Sequence, residues 1–361
     1  MGKKYRVIQF GTGFVGHFSL RAIIEHPDME LVGCWVHSDE KVGLDAGAIA
    51  GTEKTGILAT SDIDALLALD ADCLCSAAGG DGREEWMAAV HGRFMESGMN
   101  VVSSSIVGMV DPEAHPDRAL TEQLDAAARK GGVSYFTSGV EPGFMSDTLP
   151  LTISGVSQYW RSIRVREILD YSTYIPNEAE KIMGDILGFG RPMDYQPILF
   201  TPGRLSYVWG GPVTLMARGL GVELDEVREV VERWPATERF EVPRLGAIET
   251  GTCEAYRFEV QGIVGGEPVI VLEHVTRLRP ESAPGWPQGE FGQGYYVSVD
   301  GDPSMSCYMT CKGPDGDHHS GGILVTGTRL VNAIPAVCAA PPGLLSALDL
   351  PLLTGRNLHR P

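Results

Sequence analysis

Three glycines near the amino terminus stand as Gly11-Thr12-Gly13-Phe14-Val15-Gly16, directly after the β-rich run Tyr5 to Phe10. The residues that follow place Val15, Phe18 and Ala22 at helical spacing, so the pattern reads strand, glycine turn, helix. Glycines so placed meet three separate demands of a bound dinucleotide: a tight turn, backbone approach to the pyrophosphate, and close packing of helix on strand. The phosphates would lie at the positive end of the helix, against its open N–H groups. Gly11, Thr12, Gly13, Phe14, Val15 and Gly16 are therefore the candidate diphosphate contacts; the alternative is a glycine turn that binds nothing.

The choice of nicotinamide coenzyme is made at the end of the second strand, where an acid holds the ribose hydroxyls of NAD. Here that stretch reads Val36-His37-Ser38-Asp39-Glu40-Lys41. A carboxylate at position 37 or 38 would repel a 2′-phosphate by several kcal/mol at about 4 Å in a partly shielded site, and none is present. His37, Ser38 and Lys41 offer donors to that phosphate instead, so NADP is the expected coenzyme. NAD stays open, because a strand end shifted by one residue brings Asp39 into the acid position.

Positioning these residues requires an α/β domain. Glu30 to Val36 reads as a second strand, and short strands at Cys73 to Ala78, Asn100 to Ser104 and Val133 to Ser138 alternate with helical patterns. One such helix starts near Asp62, another carries Trp86, Val90 and Phe94 on one face, and a third has Leu120, Leu124 and Ala127 in register. The alternation predicts a doubly wound parallel sheet of the Rossmann type over 1–150. Ala77, Ala78 and Ser104 fall at strand ends, where the nicotinamide would lie.

Beyond Pro150 the pattern changes to that of an α+β domain over 151–315. Ile163 and Val165 alternate with Arg164 and Arg166 as in a half-exposed strand, and helical stretches follow at 178–189, 205–220 and 225–234. Tyr256, Phe258 and Val260 alternate with Arg257, Glu259 and Gln261, and Gly265-Gly266 turns the chain into a second strand, predicting a hairpin with one wet face. His274 lies mid-strand with Leu272 and Thr276 and reads either as a satisfied sheet histidine or as a proton donor. Segments 295–299 and 305–311 read as further strands, and 280–294 as a surface loop or lid. The segment 316–361 is helical from Gly322 to Val337, where Pro335 is expected to kink or end the helix.

Composition narrows the function classes. The 361 residues carry 29 Lys and Arg against 47 Asp and Glu, a net charge of −18, which disfavours nucleic acid and anionic membranes as partners. No apolar run approaches the roughly 18 residues of a spanning helix. Met1 to Arg6 leads into a strand and not a signal core, so a cytoplasmic protein with reduced thiols is expected. The seven cysteines lack zinc-site spacing, and His318-His319 beside Asp315 and Asp317 reads as a loop, so no metal is expected.

Several segments together resemble the dihydrodipicolinate reductase-like oxidoreductases, in the branch of 2,4-diaminopentanoate dehydrogenase and the native amine dehydrogenases. They are Val7-Ile8-Gln9-Phe10-Gly11-Thr12-Gly13, Lys41-Val42-Gly43-Leu44-Asp45-Ala46-Gly47, Gly139-Val140-Glu141-Pro142-Gly143-Phe144 with Asp147, and Val331-Asn332-Ala333-Ile334-Pro335. The resemblance implies a homodimer with a Rossmann domain and a second domain that covers the nicotinamide and forms the pocket of a small-molecule substrate. It implies hydride transfer between nicotinamide and a C=N or C=O carbon, a ketone plus ammonia becoming an amine in the amine-dehydrogenase members. It also places aromatic residues near the substrate, here Phe144, Tyr171 and Tyr174.

The chain departs from that pattern twice. Ile106 and Val107 stand in Ser103-Ser104-Ser105-Ile106-Val107-Gly108, where the family's Glu would fall, and Glu141 stands where Asn commonly precedes Pro-Gly-Phe. Ammonia and iminium species need a nearby carboxylate to bind the cation and move protons, worth about 10²- to 10⁴-fold in rate. Glu141 is the candidate for that role, and His274 the second catalytic candidate. The alternatives are a carbonyl or conjugated-alkene reductase that uses no ammonia, and a dinucleotide-binding sensor without turnover.

Overall fold

The computed structural model describes residues 4–80, 82–174 and 180–360. The chain divides into two compact units, Met1–Phe144 with Gly322–Pro361, and Met145–Gly321.

In the first unit, β1 (Tyr5–Phe10) leads into α1 (Phe14–Glu25) and β2 (Met29–Trp35), followed by the short helices α2 (Ala46–Ala50) and α3 (Ile63–Leu67). Then β3 (Cys73–Ser76), α4 (Glu84–Glu96), β4 (Asn100–Ser103), α5 (Arg118–Gly131) and β5 (Ser134–Thr137) alternate. Consecutive residues of β1 point to opposite faces of the sheet. Ile8 and Phe10 join Leu74, Phe94 and Leu124 in one core, while Val7 joins Cys73, Val102 and Phe136 in the other. Both faces are thus covered, which is why these strands read as continuous apolar runs. The amphipathic α5 buries Leu120, Leu124 and Ala127, is capped by Asp117 at the Leu120 N–H (3.0 Å), and stops at Gly132 with φ of +67°.

In the second unit, α6 (Thr148–Ser154), β6 (Tyr159–Asp170) and α7 (Arg204–Leu220) precede β7 (Glu226–Pro235) and the small pair β8 (Phe240–Val242) and β9 (Gly246–Ile248). The long strands β10 (Cys253–Val264), β11 (Glu267–Arg277), β12 (Gly294–Asp302) and β13 (Met305–Met309) follow. The sheet runs β13-β12-β6-β11-β10-β7, with β6 and β11 parallel and the other neighbours antiparallel.

Four expectations change here. Residues 225–234 form a strand and not a helix: β7 pairs with β10 from Pro235↔Cys253 to Glu226↔Ile263. Charges interleaved with Val227, Val230 and Val231 suit either period, and the edge of β10 decides. The hairpin has no wet face, because the row of Arg257, Glu259 and Glu273 is closed by ion pairs that leave Glu273 at 0% and Glu259 at 5% exposure. Of 178–189, the described part forms a single wide helical stretch, Glu180–Ile186, and 178 and 179 lie outside the described residues.

The fourth concerns α8 (His318–Ala339), which runs through Pro335 and is long and apolar enough, by length and composition, to cross a membrane. Its Leu330, Val331, Ala333, Ile334 and Val337 are buried against the parallel sheet, so this face of the helix is core. That burial offsets the hydrogen bond and the clash that a mid-helix proline costs, about 3 kcal/mol. After α8 the chain adds β14 (Gly343–Leu345), completing the parallel order β14-β5-β4-β3-β1-β2.

Candidate functional site

The three glycines of the turn differ in what they leave room for. Gly11 has φ of +91°, and a side chain there would meet the Ala78 backbone at 2.8 Å. A Cβ on Gly16 would lie 2.2 Å from the Gly11 carbonyl oxygen, whereas one on Gly13 would meet nothing within 4 Å. Packing therefore demands glycine at 11 and 16, and the open space over 13 is free for a ligand to approach the backbone. Helix α1 starts there without a side-chain cap and without an acid in its first turn, so its N–H groups and dipole face an anion unopposed. Beneath it, Ser19 donates to Gln9 Oε1 (3.0 Å) and Gln9 Nε2 to the Gly11 carbonyl (2.8 Å), a buried strut. Thr12 is buried and Phe14 is 49% exposed. These features fit a dinucleotide.

Of the three donors after β2, Lys41 is carried to the turn, where Nζ donates to the Thr12 carbonyl at 3.1 Å. Ser38 donates to Glu40 (3.1 Å), and His37 is exposed with its ring 6.0 Å from that of Trp35. Asp39 opens a one-turn helix, Asp39–Lys41. Trp35 itself stacks on Phe10 at 4.1 Å.

At the strand ends, Ala77 is buried and the Ser104 N–H donates to the Ser76 carbonyl (3.0 Å). The sequence reading missed the support below: His91 on α4 lies 2.9 Å from Ser76 Oγ, which lies 3.0 Å from Ser105 Oγ. Burial pushes His91 down to about 3, so its ring is neutral and serves as a fixed hydrogen-bond post. A helical histidine facing a serine at a strand end was the available signal.

The segment bearing Glu141 follows β5 and is held within the first unit. The Val140 N–H donates to Thr326 Oγ1 (3.1 Å), Phe144 N–H to the Gly139 carbonyl (2.9 Å), and the Arg329 guanidinium lies 5.6 Å from the Phe144 ring. Glu141 is half-buried in extended backbone, ahead of a cis peptide bond to Pro142. Phe144 belongs to the first unit, and Tyr171 and Tyr174 belong to the second.

In the second unit, the register of four strands aligns Tyr295, Glu167, His274 and Phe258 in one row on the face that carries Val165 and Leu272. His274 Nδ1 lies 2.7 Å from Glu167 Oε2, and the imidazole stacks on Phe258 at 4.5 Å with Trp209 at 4.9 Å. Burial pushes the Glu167 carboxyl up, but His274 and the Tyr295 hydroxyl outweigh it and hold the group below its ordinary value. Tyr171 and Tyr174 sit 5.0 Å apart against His319, whose Nε2 is 2.8 Å from the Asp170 carbonyl. His318 and His319 open α8 and do not lie in a loop. Among the described residues no group of three or more His, Cys, Asp or Glu is placed to hold a metal ion. Glu167 escaped the sequence reading, although its parity with Ile163 and Val165 puts it on the apolar face.

Comparison with known proteins bears directly on these features. Residues 144–357 match the family model of the 2,4-diaminopentanoate dehydrogenase C-terminal domain. The chain is 40% identical over 348 residues to an amine dehydrogenase of Streptomyces virginiae, covering 96% of each protein. It is 25% identical over 261 residues to the 2,4-diaminopentanoate dehydrogenase of Acetoanaerobium sticklandii, covering 72% of this chain and 68% of that one. Its fold matches the structure of an amine dehydrogenase from Mycobacterium smegmatis with a TM-score of 0.77 at 19% identity, over 98% of this chain and 97% of the other. The expected resemblance and the α/β fold class hold, and the chain belongs to the 2,4-diaminopentanoate and amine dehydrogenase family of oxidoreductases.

Proposed function

We propose that this enzyme interconverts a ketone plus ammonia with a primary amine, using a nicotinamide dinucleotide held at the Gly11 to Gly16 turn. The observation that carries the reading is the 40% identity over nearly the whole chain to a protein named an amine dehydrogenase. The uncapped start of α1 and the open space over Gly13 support dinucleotide binding, and Lys41 at the turn favours NADP over NAD. When bound, the coenzyme supplies a hydride to the C=N or C=O carbon.

The chain's own groups do the rest. Glu141 binds ammonium and takes its proton, leaving a lone pair that adds to the carbonyl carbon while the C=O pair moves to oxygen. The added nitrogen passes one of its protons to that oxygen, leaving a neutral carbinolamine, and His274 then gives a proton to the hydroxyl, which departs as water as the nitrogen lone pair forms C=N. Ala77, Ala78 and Ser104 line the coenzyme's ring from the strand ends, and Phe144, Tyr171 and Tyr174 contribute apolar surface for the substrate's carbon skeleton.

A second reading rests on Ile106 and Val107, which stand where the family's acid would fall: a carbonyl reductase that uses no ammonia. Incubation of the enzyme with NADPH or NADH and a panel of ketones, with and without ammonium, separates the two. Amine formation dependent on ammonium supports the first, and alcohol formation at a rate indifferent to ammonium refutes it.

A further inference from the structure

At and just beyond the carboxyl ends of β3, β4 and β5, an otherwise apolar core holds a polar cluster: Ser76, Ser103, Ser105, Tyr135, Thr137 and His91 are all buried. Its members next to β5 are satisfied by one another. Thr137 Oγ1 donates to the Tyr135 hydroxyl (3.3 Å), which also meets the Ser103 hydroxyl, and Ser103 Oγ accepts the Ser105 N–H at 2.9 Å. The other branch is open at both ends. His91 Nε2 lies 2.9 Å from Ser76 Oγ and Ser76 Oγ 3.0 Å from Ser105 Oγ, while His91 Nδ1 is buried without a partner among the described residues. Buried polar groups are almost always paired, so an incomplete set points to a missing member.

Hydrogen accounting locates it. The His91 ring is neutral, because burial opposes its charge, so one nitrogen carries the hydrogen. On Nδ1 that hydrogen would be stranded in the core, and a stranded buried N–H is rarer than a stranded lone pair. It therefore sits on Nε2 and is donated to Ser76 Oγ. Ser76 passes its own hydrogen to Ser105 Oγ. The Ser105 hydroxyl is then left with a hydrogen for which the described residues provide no acceptor.

The place of that hydroxyl in the sheet identifies the acceptor. In the order β14-β5-β4-β3-β1-β2, β2 lies on one side of β1 and β3 and β4 lie on the other, and ligands of such sheets bind across this switch at the carboxyl ends of the strands. With the diphosphate at the Gly11 to Gly16 turn and the adenosine on the β2 side by Lys41, the nicotinamide falls on the side of β3 and β4. The backbone is closely packed from the turn to Ser105: a Cβ on Gly11 would meet the Ala78 backbone at 2.8 Å, and one on Gly80 would strike the Ser105 carbonyl.

We propose that the Ser105 hydroxyl donates to the carboxamide oxygen of the nicotinamide, and that His91 is a positioning residue that sets the direction of this bond through Ser76. A donor whose hydrogen is already committed by its neighbours holds the carboxamide, and with it the ring, in one orientation. A serine without that support could turn its hydrogen toward Ser76 and offer the carboxamide a lone pair instead. The assignment rests on the dinucleotide reading above and adds to it the group that grips the reactive ring.

The test uses the full-length protein as wild type, Ser105→Ala, His91→Leu and His91→Gln, the last keeping an N–H close to the place of Nε2. Calorimetry measures two ligands: NADPH, and 2′-phospho-ADP-ribose, which is the same molecule without its nicotinamide. NADH and ADP-ribose replace them if the wild type prefers NADH. Ser105→Ala should bind the reduced coenzyme about tenfold more weakly and the ribose fragment within twofold of wild type. His91→Leu should show the same split, and His91→Gln should recover most of the loss. In ¹⁵N-histidine spectra the wild-type signal that His91→Gln removes should be a neutral ring with its hydrogen on Nε2. A hydrogen on Nδ1 overturns the direction of the chain, and equal effects on coenzyme and fragment, or none on either, overturn the contact with the carboxamide. Should His91→Leu fail to fold, Ser105→Ala and the spectra still decide. A wild type that binds neither reduced coenzyme refutes the dinucleotide reading together with this assignment, whereas tight wild-type binding that Ser105→Ala leaves unchanged refutes this assignment alone.

Discussion

Lys41 Nζ donates to the backbone carbonyl of Thr12 at 3.1 Å, so a cation from the loop after β2 stands over the turn between Gly11 and Gly13. A phosphate on the adenosine ribose would compete for that ammonium, and a plain ribose would not. Lys41→Ala should therefore weaken NADPH binding about tenfold, some 1.4 kcal/mol, and change NADH binding less than twofold. Calorimetric titration of both reduced coenzymes checks this, and equal losses for the two would show Lys41 to be indifferent to the phosphate.

Glycines 13 and 16 predict opposite phenotypes. A Cβ at position 13 meets nothing within 4 Å, so in Gly13→Ala the melting temperature should stay within a few degrees of wild type while coenzyme binding is weakened. Gly16→Val drives a side chain into the Gly11 carbonyl and should lower stability even without coenzyme. Thermal denaturation and titration of the two variants side by side measure both effects.

Glu141 is tested by Glu141→Gln, which keeps the shape ahead of Pro142 and removes the charge. Coenzyme affinity should be intact and turnover with ammonium lowered at least about tenfold. Turnover equal to wild type would remove Glu141 from the reaction.

Glu273 is 0% exposed and accepts from Arg164, Arg166 and Arg257. Burial alone pushes its carboxyl up, but Arg166 and Arg164 outweigh it and hold the group below the ordinary value. Its contribution is therefore full above the ordinary carboxyl range and is lost as pH falls through the lower folded-state value. Glu273→Gln removes the charge that three guanidinium groups share, although Arg164 and Arg257 keep Glu259, and should cost about 3 to 5 kcal/mol near neutrality. Urea titrations at descending pH should show the gap between wild type and variant narrowing in acid, and a gap that does not vary with pH would contradict the linkage.

Arg277 is 3% exposed and pins the segment expected to be a surface loop or lid, donating to the carbonyls of Ser282 (2.8 Å) and Pro287 (3.0 Å). Arg277→Ala leaves those carbonyls unsatisfied, at roughly 1 to 3 kcal/mol each. Amide exchange across 280–288 should quicken while the parallel sheet of the first unit keeps its protection.

The glycine turn, α1, α5 and the strands of the parallel sheet were legible in the sequence because each is specified by residues a few positions apart. Gly11, Gly13 and Gly16 act within one turn, and Leu120, Leu124 and Ala127 within one helical face. The period of a pattern is a local property, and local properties survive in a linear string. What surrounds a residue is not local. Whether Val227, Val230 and Val231 join a helix or a strand was settled by the edge of β10, and whether Arg257 and Glu259 meet water by the guanidinium groups and the Glu273 carboxylate beside them. The apolar run of α8 became core because a parallel sheet was there to receive Leu330 and Ile334. The pairing of Glu167 with His274 arose in the same way, from the parallel register of β6 and β11, which brings together two polar residues distant in sequence and buries both.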